Sequence, residues 1–375
     1  FLQAIASPFI GTLSDRHGRR TALLTSMVGN LASLVLWLFA TDFRTFLLSR
    51  ILAGLSEGNV QLAIAIATDI SDEKQRGPTM ALVGICFSIS FTLGPALGAS
   101  LSSINLIKAN PFAATAGVSL LLIFIETVYL YLYLPETLPD KFASHSTVTT
   151  SCDHAANKIS KSPISSHTSI PTSTLTQEGS GSEIPSPFTT TSARRTNSHF
   201  LLNFIHLTFL LFFSGMEFSL PFMTFDLFRF TSVLNGRLLG YMGLVASIIQ
   251  SQMTRRISPL RSVRIGISAC LLALFMLARI HTIAGLYLAT TLLAITSATV
   301  VTGLNALSSF EAAAHERGVK LGLLRSWGQL GRAMGPLLFT CIYWWAGREF
   351  AYNVGSTGML GVAILAFFAL REPKA

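Results

Sequence analysis

The chain has 375 residues, of which 50% are hydrophobic and only 12% are Asp, Glu, Lys or Arg. A soluble domain carries about twice that charged fraction, so the composition excludes an ordinary soluble protein and indicates one that lies in a lipid bilayer. The net charge of +9 does not indicate nucleic-acid binding, because the Lys and Arg residues lie in short loops between apolar runs and form no single basic module.

Apolar runs of about 20 residues, the length of a membrane-spanning helix, recur along the chain. The first run, 1–12, is about half that length, so we expect it to be part of a helix and one further helix to precede it. Full spans are predicted at 21–40, 44–69, 77–101, 111–134, 199–225, 236–252, 262–280, 282–306, 318–345 and 350–370. The prediction is therefore an all-α polytopic membrane protein with about eleven helices present.

The spans fall into two sets, a first bundle at 1–138 and a second at 199–375. Residues 139–198 between them are rich in Ser, Thr and Pro and too polar to bury a core, which predicts a disordered linker. A passive tether is favoured over a regulated, phosphorylated one.

The distribution of Lys and Arg predicts the orientation. When the loop at 11–20 is placed in the cytoplasm, the loops on that side carry about three times as many Lys and Arg residues as the loops on the opposite side. The linker and the C-terminus then also lie in the cytoplasm.

A repeat supports two related halves. Arg-Gly at 76–77 is followed by Gly-Pro at 94–95, and Arg-Gly at 317–318 is followed at the same interval by Gly-Pro at 335–336. The two halves of many transporters are related in this way. Five residues of these helices are expected to allow close packing or hinge movement, namely Gly94, Pro95, Gly98, Gly335 and Pro336.

Charged residues inside the spans are candidates for function, because a charge in the bilayer is costly. In the span 44–69, Arg50, Glu57 and Gln61 lie within about 40° of one another on an ideal helix, which predicts one polar face toward a cavity. Asn59 falls on the opposite side and is expected to bond a neighbouring helix.

In the span 318–345, Arg325, Gln329 and Arg332 share a face, and the two arginines are about 10.5 Å apart along the helix. They are suited to clamp an anionic substrate. Pairing of each arginine with a carboxylate of another helix, to hold the bundle together, is an equally supported interpretation.

The span 199–225 places Asn203, His206 and Glu217 on one stripe. Gly215 and Pro221 flank Glu217 and predict a break in the helix, as transporters show near a binding site. Glu217 is a candidate proton carrier, and a permanent salt bridge with an arginine is the alternative.

The stretch GTLSDRHGRR, residues 11–20, resembles the signature between the second and third helices of the major facilitator superfamily. GPALGA at 94–99 and LPETLP at 134–139 resemble motifs of its antiporter and drug-transporter branches, although Ala99 replaces a final glycine. Arg50 with Gly54 and Gly58 resembles the fourth-helix motif without its usual Gln. The signature itself is matched by Gly11, Asp15, Arg16, Gly18, Arg19 and Arg20.

The resemblance implies the major facilitator fold, in which two pseudo-symmetric six-helix bundles rock around a midplane site. Asp15 is expected to accept hydrogen bonds from Arg19 or from the N-terminus of the span 318–345, and Asp69 to pair with Arg16 or Arg19. These contacts form a latch that exists only when the cytoplasmic side is closed. The alternative is that the loop serves only as a topology signal.

We therefore predict a secondary-active transporter that moves organic anions or drug-like molecules by alternating access, as a proton- or exchange-coupled antiporter. Arg325, Arg332, Gln329 and Gln61 are assigned to substrate binding, and Glu57, Glu217 and Arg50 to coupling. A cation or multidrug exporter is the first alternative. A transport-inactive membrane scaffold or sensor on the same fold is the second.

The sequence contains no H-E-x-x-H or G-x-x-x-x-G-K-[ST] pattern. Its G-x-S-x-G match, GLSEG at 54–58, lies inside a predicted membrane span and not at the strand-to-helix turn that makes this motif catalytic, so it does not indicate an enzyme. The four cysteines suggest neither disulfides nor a metal site. We expect no cofactor, no metal and no nucleic-acid partner. The partners expected are a bilayer, a small organic substrate and a proton or exchanged ion, and the carrier is expected to be a monomer.

Overall fold

The structure is a computed structural model that describes residues 1–71, 75–102, 110, 112–138, 196–252 and 257–372. The linker predicted to be disordered lies almost entirely outside the described residues. The described α-helices follow the predicted spans closely. They are α1 (Leu2–His17), α2 (Arg19–Leu38), α3 (Phe43–Ser56), α4 (Asn59–Asp69), α5 (Arg76–Ser102), α6 (Ala113–Tyr133), α7 (His199–Phe228), α8 (Ser232–Gln252), α9 (Pro259–Ala278), α10 (Ile283–Glu311), α11 (Arg317–Ala346) and α12 (Arg348–Phe368).

Seven helices of the described residues, with α3 and α4 counted as one, are long and apolar enough to cross a membrane. Helix α11 is also long, at 30 residues, but carries Arg325 and Arg332 along its middle turns. Two such charges are tolerated in a bilayer only where they face other helices or a water-filled cavity. The all-helical, polytopic prediction is confirmed.

One predicted span is broken. Helix α3 ends at Ser56 and α4 begins at Asn59, and Glu57 between them leaves the helical region with φ −78° and ψ 80°. The break lies where α1 and α2 approach Gly58 so closely that a methyl group there would overlap Ile10 and meet Ser26. The single polar face predicted for this span is therefore wrong, because the turn at Glu57 changes the direction of the residues that precede it.

Another predicted break is missing. Helix α7 runs from His199 to Phe228 without interruption, with Pro221 inside it. Gly215 serves close packing instead, since a methyl group there would overlap Phe339 and the Gly335 carbonyl of α11. A proline removes one backbone hydrogen bond, and firm packing of neighbouring helices lets the turn survive.

The hydrophobic core lies mainly in the second half, where α7, α9, α10, α11 and α12 pack on one another. A smaller core joins α2 and α4 in the first half. A third cluster joins the two halves, and it consists of Ile64, Ala65, Met80, Ala306 and Leu321. The polar residue Asn59 bonds its neighbour as predicted, because it accepts from Asn30 Nδ2 of α2 at 3.1 Å.

The linker was expected to extend to residue 198, but its last residues are held in place. The backbone N–H groups of Thr196 and Asn197 donate to the buried carboxylate of Glu311 at 2.9 and 2.8 Å. The Asn197 side chain donates to Glu311 and to the Arg371 carbonyl, and it accepts from the Arg371 N–H, each at 2.8 Å. Asn197 therefore joins the start of α7 to the end of α10 and to the C-terminal segment.

This arrangement predicts the effect of Asn197→Ala. The substitution removes three side-chain hydrogen bonds: one of the two that Glu311 Oε1 accepts, and those to the C=O and N–H groups of Arg371. The cost of leaving such groups unpaired is about 1–3 kcal/mol. Thermal unfolding of the purified protein in detergent should show a lower midpoint, and hydrogen exchange should show faster exchange at residues 369–372. The matched control is Ser198→Ala, because the Ser198 side chain makes no capping bond. Equal midpoints for the two variants would contradict the role of Asn197.

Candidate functional site: a cavity between the two halves

A cavity of about 410 Å³ lies between helices of the two halves. Its walls come from α1, α4 and α5 on one side and from α7, α8, α10 and α11 on the other. Most of the wall is apolar, with aromatic rings from both halves. The polar side chains that line it are Gln3, Glu57, Gln61, His206, Glu217, Gln250, Ser297, Thr302, Asn305, Arg325, Gln329 and Arg332.

Arg325 crosses the cavity to the first half. Its Nη2 lies 3.4 Å from Glu57 Oε1, and Gln3 of α1 donates to the other oxygen of the same carboxylate. Glu57 is presented by the break between α3 and α4, which leaves its side chain 42% exposed. The pair therefore joins the two halves by a contact that is partly open to the cavity.

Arg332 pairs within the second half. Its Nη2 lies 3.4 Å from Glu217 Oε2 of α7, and its side chain is 43% exposed. A second cavity of about 420 Å³ shares both residues and continues along α7 past Pro221 and Phe222. Because α7 begins near Glu311 and runs away from it, this second cavity leads toward the opposite end of the bundle.

The N-terminal ends of α2 and α11 meet in a cluster of buried charges. Arg19 is 0% exposed; its Nη1 donates to Asp15 and its Nε to Asp69 at 2.8 Å. Arg317 donates to the other oxygen of Asp69 at 2.7 Å. We call Asp15, Arg19, Asp69 and Arg317 the charge latch, and the end of the bundle that carries it the latch end.

Asp15 also caps α11. It accepts from the backbone N–H groups of Gly318 at 2.9 Å and Val319 at 2.8 Å. These groups have no partner within their own helix, and a carboxylate at a helix N-terminus is further stabilised by the helix dipole. One carboxylate thus binds a side chain of the first half and the backbone of the second.

Two glycines of the 11–20 stretch make this contact possible. A methyl group at Gly11 would overlap the Gly318 carbonyl, so α1 and α11 approach with backbone against backbone. Gly18 has φ of 104°, in the left-handed region that favours glycine, and it turns the chain from α1 into α2. The Glu136 carboxylate fills the space beside Gly18 and accepts from the Arg19 N–H at 2.7 Å.

The structure places the other predicted site residues as follows. Arg50 does not join Glu57 and Gln61 at the cavity, because the helix breaks between them; its guanidinium lies 4.4 Å from the Trp37 ring centre. Arg20 donates to the Tyr131 carbonyl at 2.6 Å, outside the latch. Arg16 is exposed, and Asp69 pairs with Arg19 instead of Arg16.

The packing residues behave differently in the two halves. A methyl group at Gly335 would overlap the Leu211 carbonyl of α7, and Pro336 lies within the continuous helix α11. At Gly94 and Gly98, by contrast, a methyl group would meet no described atom within 4 Å. The close contact expected there is therefore not formed with any described residue, and the Pro95 side chain lies outside the described residues.

Three residues of these sites were missed by sequence reasoning. Arg317 was identified only as part of the repeat, although its position at the start of α11 opposite Asp69 makes it a member of the latch. Gln3 lies in a run that was read as apolar, and the partners of Glu136 come from distant helices. Only a three-dimensional arrangement shows such contacts. In the part of the chain that the structure describes, no three His, Cys, Asp or Glu residues lie close enough together to hold a metal.

Comparison with known proteins decides the family. The model of the Major Facilitator Superfamily matches residues 1–336. The chain belongs to this superfamily. It is therefore a membrane transporter and not an enzyme, and the fold that its motifs implied is confirmed.

Two relatives match almost the whole chain. The major facilitator superfamily domain-containing protein 10 of Mus musculus is 32% identical over 375 residues, which are 99% of this chain and 77% of the mouse protein. The crystal structure of the human organic anion transporter MFSD10 (TETRAN) superposes with a TM-score of 0.75 at 29% identity, and covers 97% of this chain and 81% of the human one.

A third match is shorter. The class H tetracycline resistance protein of Pasteurella multocida is 28% identical over 152 residues, or 40% of this chain and 38% of that protein. The likeness to this tetracycline resistance protein therefore covers only part of each chain, whereas the likeness to MFSD10 extends over nearly all of this chain.

The charge latch predicts the effect of Asp15→Asn. The variant keeps the shape of the side chain but loses the charge that binds Arg19 and the N-terminus of α11, worth roughly 1.5–3 kcal/mol for a hydrogen bond to a charged group. The latch end should open more often. A cysteine placed at Ala306, which is buried in the cluster between the halves, should be labelled about tenfold faster.

The measurement is made with the four native cysteines replaced by alanine. Asp42→Asn is the matched control, because it makes the same exchange at the exposed start of α3. An unchanged labelling rate in Asp15→Asn would reduce the 11–20 stretch to a topology signal.

Proposed function

We propose that this chain is a secondary-active carrier of organic anions and anionic drug-like molecules. The observation that carries the proposal is the pair Arg325 and Arg332 on one face of α11, both lining the cavity between the halves. The human relative is described as an organic anion transporter, which supports the same substrate class.

Binding is proposed to proceed by exchange of partners. Each arginine faces a carboxylate at 3.4 Å, which is longer than the usual distance of a charge-assisted hydrogen bond. A substrate carboxylate that approaches both guanidinium groups can replace Glu57 and Glu217 as their partner. Gln329 and Gln61 line the same cavity and would bond the rest of the substrate.

Alternating access would use the latch end as one gate. In this structure the latch and the cluster of Ile64, Met80 and Leu321 close that end, while the second cavity extends toward the other. We place the latch end in the cytoplasm, in agreement with the excess of Lys and Arg in the loops on that side. The linker, the C-terminus and the closed gate then all face the cytoplasm.

Coupling is assigned to Glu217 and Glu57. A proton on Glu217 would remove the partner of Arg332 and leave that arginine free for the substrate anion. Loss of the proton would restore the ion pair and promote release. The proton and the anion would then bind together and leave together, so this competition describes proton–anion symport and not the proton-coupled antiport expected from the sequence. Exchange-coupled antiport would occur when Glu217 stays protonated and one anion is exchanged for another. The proposed carrier is a monomer and uses no cofactor.

The cation exporter is the alternative, and the partial exposure of Glu57 to the cavity favours it. In that case Glu57 and Glu217 would bind the substrate, and the arginines would serve only as their resting partners. The anion proposal requires the positive charges of the cavity for substrate binding, whereas the cation proposal requires its negative charges.

Arg325→Ala and Arg332→Ala separate them. Uptake of an anionic dye into proteoliposomes should fall by at least about tenfold in each variant, because an uncompensated truncation within a charge pair costs roughly 2–5 kcal/mol. A cationic dye of similar size should not be taken up by any of the proteins. Arg279→Ala is the control, since Arg279 is exposed and packs on Phe275 away from the cavity. Normal anion uptake in both cavity variants would overturn the anion proposal.

Glu217→Gln tests the coupling. Glutamine cannot exchange a proton, so stimulation of anion uptake by a pH gradient should disappear while exchange of anion for anion continues. Glu349→Gln, at an exposed position of α12, should respond to the gradient as the wild type does. A full gradient response in Glu217→Gln would assign coupling to another group.

A further inference from the structure

His206 is buried at the cavity and uses only one of its ring nitrogens. The residue lines the cavity from α7 and is 4% exposed. Its Nδ1 lies 2.8 Å from the Leu324 carbonyl oxygen of α11. Because a carbonyl oxygen only accepts, Nδ1 must carry the proton, and in the neutral ring Nε2 is then an acceptor. Nε2 has no partner among the described residues.

Helix α11 is shaped to receive this ring. Gly328 lies beside it, and a methyl group at Gly328 would overlap the imidazole. The ring is thus held between the Leu324 carbonyl and the backbone at Gly328, three residues from Arg325. The position of Nε2 is fixed relative to the guanidinium face of the same helix.

Gln61 repeats this pattern on the opposite wall. Its Nε2 donates to the Ser7 carbonyl of α1 at 2.9 Å, and the side chain is 3% exposed. Its Oε1 is likewise buried without a partner among the described residues. Each half of the chain therefore has one oriented, unsatisfied acceptor on a residue that lines the cavity. Both acceptor atoms are covered in this structure, so a donor in the cavity reaches them only when the groups that cover them move.

Unsatisfied buried acceptors have a consequence for selectivity. A buried polar atom without a hydrogen bond is costly, and such atoms are rare in folded proteins. A ligand that brings a donor into the cavity satisfies it, whereas a ligand of the same shape without a donor leaves it unpaired. Sites of this kind discriminate strongly between a hydroxyl or amine and its apolar analogue.

We propose that the carrier selects organic anions that also carry a hydrogen-bond donor, a hydroxyl or an amino group, and that His206 Nε2 and Gln61 Oε1 accept from it. The inference rests on the proposed function, since it takes the cavity as the transport site. The apolar wall, with Phe87 and Phe209, fits a hydrophobic body between the two polar groups. The substrate class is thus an amphipathic hydroxy or amino acid anion.

The test compares three related compounds as competitors of the anionic dye. They are para-hydroxyphenylacetate, para-methoxyphenylacetate and para-hydroxyphenylacetamide. The ratio of the inhibitory concentrations of the first two compounds measures the contribution of the hydroxyl donor. The ratio for the first and third measures the contribution of the carboxylate charge. In the wild type the hydroxyl form should inhibit at a concentration about fivefold or more below that of the methoxy form.

His206→Leu should abolish this preference while the methoxy form still competes, because the acceptor is lost and the arginines remain. His206→Gln, which offers an amide oxygen near the place of Nε2, should restore part of it. His281→Leu is the matched control, at an exposed position between α9 and α10. Gln61→Leu should also weaken the preference, and it provides a second readout if His206→Leu does not fold.

The outcomes distinguish the two proposals. A wild type that prefers the carboxylate to the amide but does not distinguish hydroxyl from methoxy overturns this inference and leaves the proposed function intact. A preference for the hydroxyl that is unchanged in both His206→Leu and Gln61→Leu also overturns it. A wild type that does not distinguish the carboxylate from the amide contradicts the proposed function itself.

Discussion

The pairing of buried charges is the constraint on which the rest of this structure depends. Arg19 is fully buried, and removal of its charge from water is costly unless carboxylates surround it. Asp15 and Asp69 provide them, but they belong to α1 and α4, and each carboxylate has a second partner on α11. The pairing of the Arg19 charge therefore brings α1, α2 and α4 of the first half and α11 of the second half together at one place. The glycines at 11 and 18 are needed because this point leaves no room for side chains.

Helix α11 connects that point with the cavity. Its first turn is capped by Asp15, and Arg325 lies eight residues further on, about 12 Å along the axis. Gly328, Gly331 and Gly335 press the helix against α7, so that a methyl group at any of them would overlap an atom of α7. A helix held this closely moves as a rigid unit with its neighbour. We propose that opening of the latch would displace the arginines and His206 together, which would give a physical route by which the gate and the binding site influence each other.

The sequence predicted the helices well and the site only in part. Apolar runs of membrane length locate α2 through α12 within a few residues, since a bilayer permits little other structure. The face of Arg325, Gln329 and Arg332 was also predictable, because it lies on one regular helix. The position of Arg50 was not, since it depends on a break at Glu57 that helical periodicity does not show. The orphaned nitrogen of His206 depends on a carbonyl 118 residues away in sequence, which no local pattern contains.

The two sets of ion pairs differ in a way that fits two different roles. At the latch the pairs that join Asp69 to Arg19 and Arg317 have distances of 2.8 and 2.7 Å, and the Asp69 side chain is fully buried. At the cavity the pairs are 3.4 Å long, and one partner of each is more than 40% exposed. A buried pair is lost only together with the surfaces that cover it, so it responds to a movement of helices. An open, longer pair can be replaced by another anion without such movement. The tight pairs are therefore suited to hold a conformation, and the loose pairs are suited to exchange one carboxylate for another.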